Sequence, residues 1–130
     1  MSISDPRGTD FDLWLRQEFA RAGDFTALVV LVSIGETKVR PLCSTHLNVM
    51  GDEVEWAEIV ALLAASGQEW DGVCFFPETA RDGGALDNAT ARWRLRALEQ
   101  QLDDDRLVLN EGHFFDKWGR RLKIEETPTQ

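Results

Sequence analysis

The stretch Thr26 to Ile34 (TALVVLVSI) is apolar and β-branched, and lacks the polar alternation of a strand that keeps one face in water. Such a strand lies inside a sheet with both faces covered, and that sets the architecture. A second apolar segment, Gly72 to Pro77 (GVCFFP), reads as another buried strand. Between them Gly35-Glu36 reads as a tight turn. The return segment Thr37 to Val49 contains Pro41, which has no N–H for a ladder, so it is expected at an edge or with a bulge, its far half Ser44 to Asn48 being loop.

Three helices are expected to pack on this sheet. Thr9 is placed to cap the first, which carries Phe11, Leu15, Phe19 and Ala22 on one face and stops at Gly23. Asp52 and Glu55 form the pattern of a capping box before Val54, Ala57, Val60, Ala61 and Ala64, with Gly67 ending the second. Asp87 is the expected cap of the third, whose stripe Ala91, Leu95, Leu98 and Leu102 runs into Asp103 to Asp105. Beyond it, strands are expected at Arg106 to Leu109, His113 to Asp116 and Arg120 to Glu125. The Phe75 strand alone has flanking helices of the kind a parallel crossover needs. The sum is a single α+β domain (or mixed α/β) over 1–126, with three helices on one mixed sheet of five to six strands in the order α-β-β-α-β-α-β-β(-β), and a flexible tail at 127–130.

At 130 residues, 43% hydrophobic and 28% charged, the chain can bury such a core without staples. Its longest apolar run, Ala27 to Val32, is far short of the roughly 20 residues that cross a membrane. Met1 to Asp10 carries acids and no apolar run, so no secretion signal is read there. Two cysteines are too few for a disulfide scaffold, and the expectation is a cytoplasmic protein without cofactors.

The formal net charge of −9 is unevenly spread. Pro41 to Ala80 holds no Lys or Arg but seven acids, Asp52, Glu53, Glu55, Glu58, Glu69, Asp71 and Glu78. Basic residues collect later, as Arg92, Arg94 and Arg96 around Trp93, and as Lys117, Arg120, Arg121 and Lys123 around Trp118. These two patches can meet within the fold, meet across a homodimer, or serve separate partners. Cations interleaved with aromatics also suit single-stranded nucleic acid, but the overall acidity makes that partner unlikely.

Chemistry is sparse. Cys43, His46, Cys74 and His113 are the whole Cys and His complement, and the C-x2-H spacing of the first two is the only hint of a zinc site; no metal is the favoured reading. Cys43 with His46, or His113 with Asp116 or Glu111, are the candidate catalytic groups, although residues three apart on a strand point to opposite faces. The loop Glu78 to Gly84 precedes a helix and offers Thr79, Arg81, Gly83 and Gly84 to a phosphate, yet it carries no nucleotide motif and brings in Glu78 and Asp82. The composite expectation is a non-enzymatic interaction module, a protein partner or a second copy docking at Glu55 and Glu58 on the acidic helix (52–66) or at Trp93, Arg96 and Trp118 on the Trp/Arg surface (92–96 and 117–123). The alternative is a small-molecule or phosphate-handling enzyme at the 78–84 loop with a histidine acid or base.

Overall fold

The central strand is β1 (Phe25–Ile34), whose first eight residues are all buried. A computed structural model describes residues 9–36, 38–51 and 53–123 of the chain. Around β1 lie β2 (Val39–Val49), β3 (Gly72–Glu78) and β4 (His113–Asp116) in the order β2-β1-β3-β4, every pair antiparallel. Side chains alternate between the faces of β1, and so define two cores. Phe25, Ala27, Val29 and Leu31 face α1 (Asp10–Ala22) and α2 (Trp56–Ala64). Leu28, Val30 and Val32 face α3 (Asn88–Asp104) and a 3-10 helix (Arg106–Glu111). The protein is thus an α+β domain of three layers, helix, sheet and helix.

The helix ends follow their capping chemistry. The Thr9 hydroxyl accepts the Asp12 N–H at 3.0 Å, and Gly23 closes α1 in a left-handed conformation (φ 74°). Asp87 accepts the Thr90 N–H at 2.8 Å. The buried stripe of α3 is the expected Ala91, Leu95, Leu98 and Leu102. In α1 the buried face is turned from the expected one: Trp14 and Glu18 join Phe11 and Leu15, while Phe19 is only half buried. The expected capping residue Asp52 lies outside the described residues. Glu55 stands at the N-cap of α2, its N–H donating to the Glu58 carboxylate at 2.9 Å.

The sheet differs from expectation in four respects. Among the described residues it has four strands where five to six were expected, and these are antiparallel throughout, so β3 is not reached by a parallel crossover. Arg106 to Leu109 is helical, because Asp105 accepts the N–H of Leu107 through its side chain (3.0 Å) and that of Val108 through its carbonyl (3.2 Å). These bonds wind the short apolar run into a turn. The expected last strand contributes only an isolated bridge between Phe115 and Arg121, its end and the tail 127–130 lying outside the described residues. Ser44 to Asn48 is strand and not loop, paired with β1 from Thr26 to Val30 and tied to it by a Thr26–Asn48 side-chain bond of 2.8 Å. The expected edge position of β2 and a bulge beside Pro41 are both present, the register with β1 slipping between Leu31 and Val32.

Candidate functional site

The three layers decide how the charged patches relate. Glu55 and Glu58 belong to α2 on one side of the sheet, and Arg92, Trp93 and Arg96 to α3 on the other, so the two patches do not face each other within the fold. Much of the remaining charge is consumed internally. Arg94 pairs with Glu78, Lys117 with Asp71 at 3.8 Å, Arg120 with Asp116 at 2.8 Å and Arg21 with Glu18. Among the described residues Arg92 and Arg96 form no ion pair. Trp93 between them is 65% exposed on a helix whose buried stripe is already complete, so nothing in the core requires an indole there.

Trp118 is equally exposed, but its setting is built. One Asp116 carboxylate oxygen accepts the N–H groups of Trp118 (2.8 Å) and Arg120 (3.0 Å), and the other accepts the Arg120 guanidinium, which in turn lies over the Trp118 ring at 5.0 Å. Burial raises the pKa of Asp116, but these donors outweigh it and hold the carboxyl below its ordinary value. Gly119 (φ 78°) fits under Thr9 and Trp56, where a Cβ would lie 3.1 Å from each. Trp56 donates its indole N–H to the Lys117 carbonyl at 3.0 Å. The turn is therefore clamped to the N-terminal ends of α1 and α2.

Asp12 is central to that junction, and its sequence gives no sign of it beyond a helix-start acid. It is 4% exposed, receives the Thr9 hydroxyl at 2.8 Å, and accepts the N–H of Trp56 at 3.1 Å. One carboxylate thus satisfies free donors at two helix starts.

The four Cys and His residues do not converge. Cys43 packs into the core under α2, whereas His46, three residues on, pairs with Leu28 and so takes the α3 side of the strand. Cys74 is fully buried on the α3 side, donating to the Leu109 carbonyl at 3.2 Å, and burial pushes its thiol pKa far up, away from a reactive thiolate. Burial also raises that of Cys43. His113 stacks on Trp14 with ring centroids 4.8 Å apart, and its Nδ1 lies 3.2 Å from the Arg121 guanidinium. A guanidinium only donates, so Nδ1 accepts and the ring is neutral. Burial, then the Arg121 charge, depresses its pKa. Among the described residues no group of three or more His, Cys, Asp or Glu is placed to hold a metal ion.

The 78–84 loop is closed on itself. Ala80 N–H bonds the Gly84 carbonyl and Gly83 N–H the Ala80 carbonyl, both at 2.9 Å, with Gly83 and Gly84 at positive φ (94° and 81°). Two donors a phosphate would use are therefore engaged, and the Asp87 carboxylate already sits on the helix start. Thr79 and Arg81 are exposed and do not line the cleft beside this loop. Glu78 does border that cleft, of about 410 Å³ between β3 and α3, which is also lined by Phe76, Pro77, Arg94, Gln101, Glu111 and His113. Gly112 makes that cleft possible: a Cβ there would lie 2.8 Å from both Cys74 Sγ and Phe76 Cε2, so only glycine lets Glu111 and His113 come down beside β3. The His113 ring stacks on Trp14 on the opposite face of the sheet, so the side chains that meet at the cleft are Glu78, Arg94, Gln101 and Glu111, and nothing in the sequence places Gln101 with the others.

Comparison with protein-family models, curated proteins and solved structures finds no match to this chain.

Proposed function

We propose that the protein is a non-enzymatic interaction module whose principal docking surface is the Arg92–Trp93–Arg96 face of α3. The observation that carries this reading is an indole two-thirds exposed between two arginines that have no partner among the described residues. Trp and Arg are the residues most often found as binding hot spots, because a planar apolar ring and a forked donor each gain most when a partner removes them from water. The partner that fits presents an apolar pocket flanked by carboxylates. The acidic surface of α2, with Glu55 and Glu58, serves a different and basic partner on the far side of the sheet, where the net charge of −9 accelerates encounter.

Capture of binding proteins tests this with three baits: the native chain, a Trp93→Ala/Arg92→Glu/Arg96→Glu variant, and a Glu55→Lys/Glu58→Lys variant. Each charge variant should lose a different protein, and purified candidates should bind the native chain at least tenfold more tightly than the corresponding variant. Identical capture by all three baits defeats the reading.

A second reading, a small-molecule site, is favoured by one feature, the cleft between Glu78, Arg94, Gln101 and Glu111. A ligand there must raise the melting temperature by mass action, and that shift must vanish in Arg94→Ala.

A further inference from the structure

We propose that the outer edge of β2 pairs antiparallel with the same edge of a second copy, joining two four-stranded sheets into one continuous sheet about a two-fold axis. The two edges of the sheet are treated differently. At the β4 edge the chain returns and covers the strand: Asp116 N–H bonds the Arg120 carbonyl at 2.9 Å, Leu122 N–H bonds the Phe114 carbonyl at 2.7 Å, and Phe115 bridges Arg121. At the other edge, β2 is 11 residues long and, among the described residues, no strand pairs with its outer side. A row of backbone donors and acceptors of that length is a ready template for pairing with another extended strand.

Folded proteins blunt such edges with charge, proline or a bulge. Here Pro41 and the bulge lie at the start of β2, and from Leu42 to Met50 (LCSTHLNVM) no residue carries a formal charge at neutral pH. That neutrality favours a second copy as the occupant. A chain of net charge −9 repels itself over most of its surface, and this stretch brings no charge of its own to the contact, the Glu99 carboxylate beside it being engaged by the Ser44 hydroxyl. The ends of the strand add complementarity. Lys38 and Arg40 precede the neutral run and Glu53 follows it, all exposed and none in an ion pair among the described residues. Antiparallel pairing centred near Thr45 carries Arg40 of each copy toward the Glu53 end of its mate, whereas parallel pairing would stack like charges.

Apolar surface continues beside the edge. A groove of about 390 Å³ between β2 and α2 is lined by Cys43, Leu47 and Leu62, with Leu62 54% exposed, and Met50 at the end of β2 is 63% exposed. Symmetry points the same way. An antiparallel edge against itself is an isologous contact that closes at two copies, while stacking the acidic α2 face on the basic α3 face, which lie on opposite sides of the sheet, would build an open-ended array.

Sedimentation velocity over a concentration series tests the proposal, with hydrogen exchange of the β2 amides as a second readout. The native chain should dimerise, and β2 amides should lose protection on dilution while β1 amides do not. Thr45 is exposed in the single chain, so Thr45→Lys should leave the melting temperature unchanged at concentrations where both chains are monomeric and weaken the dimer by about tenfold or more. Arg40→Glu and Glu53→Lys should each weaken it, and the two together should restore it. A native chain that stays monomeric at high micromolar concentration overturns the proposal. So does a dimer indifferent to Thr45→Lys with unchanged β2 exchange, and a charge swap that fails to restore pairing overturns the antiparallel arrangement. None of these outcomes bears on docking at Trp93.

Discussion

On the α1/α2 side of the sheet seven aromatic residues, Phe11, Trp14, Phe25, Trp56, Trp70, Phe75 and Phe115, form one buried cluster. On the α3 side the core is mostly aliphatic, Leu28, Val30, Val32, Leu95, Leu98, Leu102 and Leu109, with Phe114 the one fully buried ring. The polar ties differ in the same sense. The aromatic side is stitched across long sequence distances, by Trp56 N–H to Asp12, Trp56 indole to Lys117, Phe11 N–H to the Gly119 carbonyl at 3.0 Å and Arg121 N–H to Asp10 at 2.8 Å. On the aliphatic side α3 rests on its leucine stripe, with Ser44–Glu99 and Arg94–Glu78 as side-chain links to the sheet. The contrast separates structural from spare residues. Aromatic groups on the first side are committed to holding both ends of the described chain together, whereas the outward Arg92, Trp93 and Arg96 hold nothing and remain available to a partner.

The largest expected effect breaks the aromatic cluster. Phe11 touches the rings of Trp14, Trp56, Phe75 and Phe115 at centroid distances of 5.0–5.7 Å, so Phe11→Ala should cost about 4 kcal/mol in denaturant unfolding, against about 3 kcal/mol for Leu98→Ala opposite. An equal cost on both sides would remove the asymmetry. Next comes the junction carboxylate: Asp12→Ala strands the buried Trp56 N–H and removes the acceptor of the Thr9 hydroxyl, and should cost about 2 kcal/mol, while Asp12→Asn recovers part of it.

A smaller effect is set by pH. His113 has its pKa depressed below its ordinary 6.5 by burial and then by Arg121, so its contribution is complete above pH 6.5 and is lost as pH falls through the folded value. Melting temperature should therefore decline on acidification from neutrality before most carboxylates titrate, and His113→Gln should remove that decline. Asp116, depressed in spite of its burial, keeps the Trp118 turn in place to lower pH, its contribution being lost only below the ordinary carboxylate range. The smallest effect belongs to the spare surface: Trp93→Ala should change stability by no more than about 0.5 kcal/mol, and a larger loss would show that the indole is structural.

Much of the architecture was legible where chemistry is local. Thr9, Gly23, Asp87 and the stripe of α3 act within a few residues of themselves, so cap and periodicity translate directly into helix ends and a buried face. Arg106 to Leu109 was misread because a short apolar run does not distinguish a strand from a turn wound by the preceding aspartate. Ser44 to Asn48 was misread because its extended form is imposed by pairing with Thr26 to Val30 of β1 and not by its own propensity. For the site, the exposed tryptophans and the charge asymmetry were visible in composition, while the Asp12 junction and the His113–Trp14 stack were not, since each joins residues far apart in the chain.

By itself the sequence determined that β1 is buried on both faces, where the three α-helices sit and end in outline, and that acid and base are segregated. Those properties follow from hydrophobic periodicity, capping and count, which need no knowledge of the fold. Only the tertiary structure decided that the acidic α2 and the Arg92–Trp93–Arg96 face of α3 lie on opposite sides of the sheet, that the cysteines and histidines stay apart, and that no strand among the described residues pairs with the outer edge of β2. Each of these depends on strand order and on which face a helix covers, and these are set by packing between segments distant in the chain.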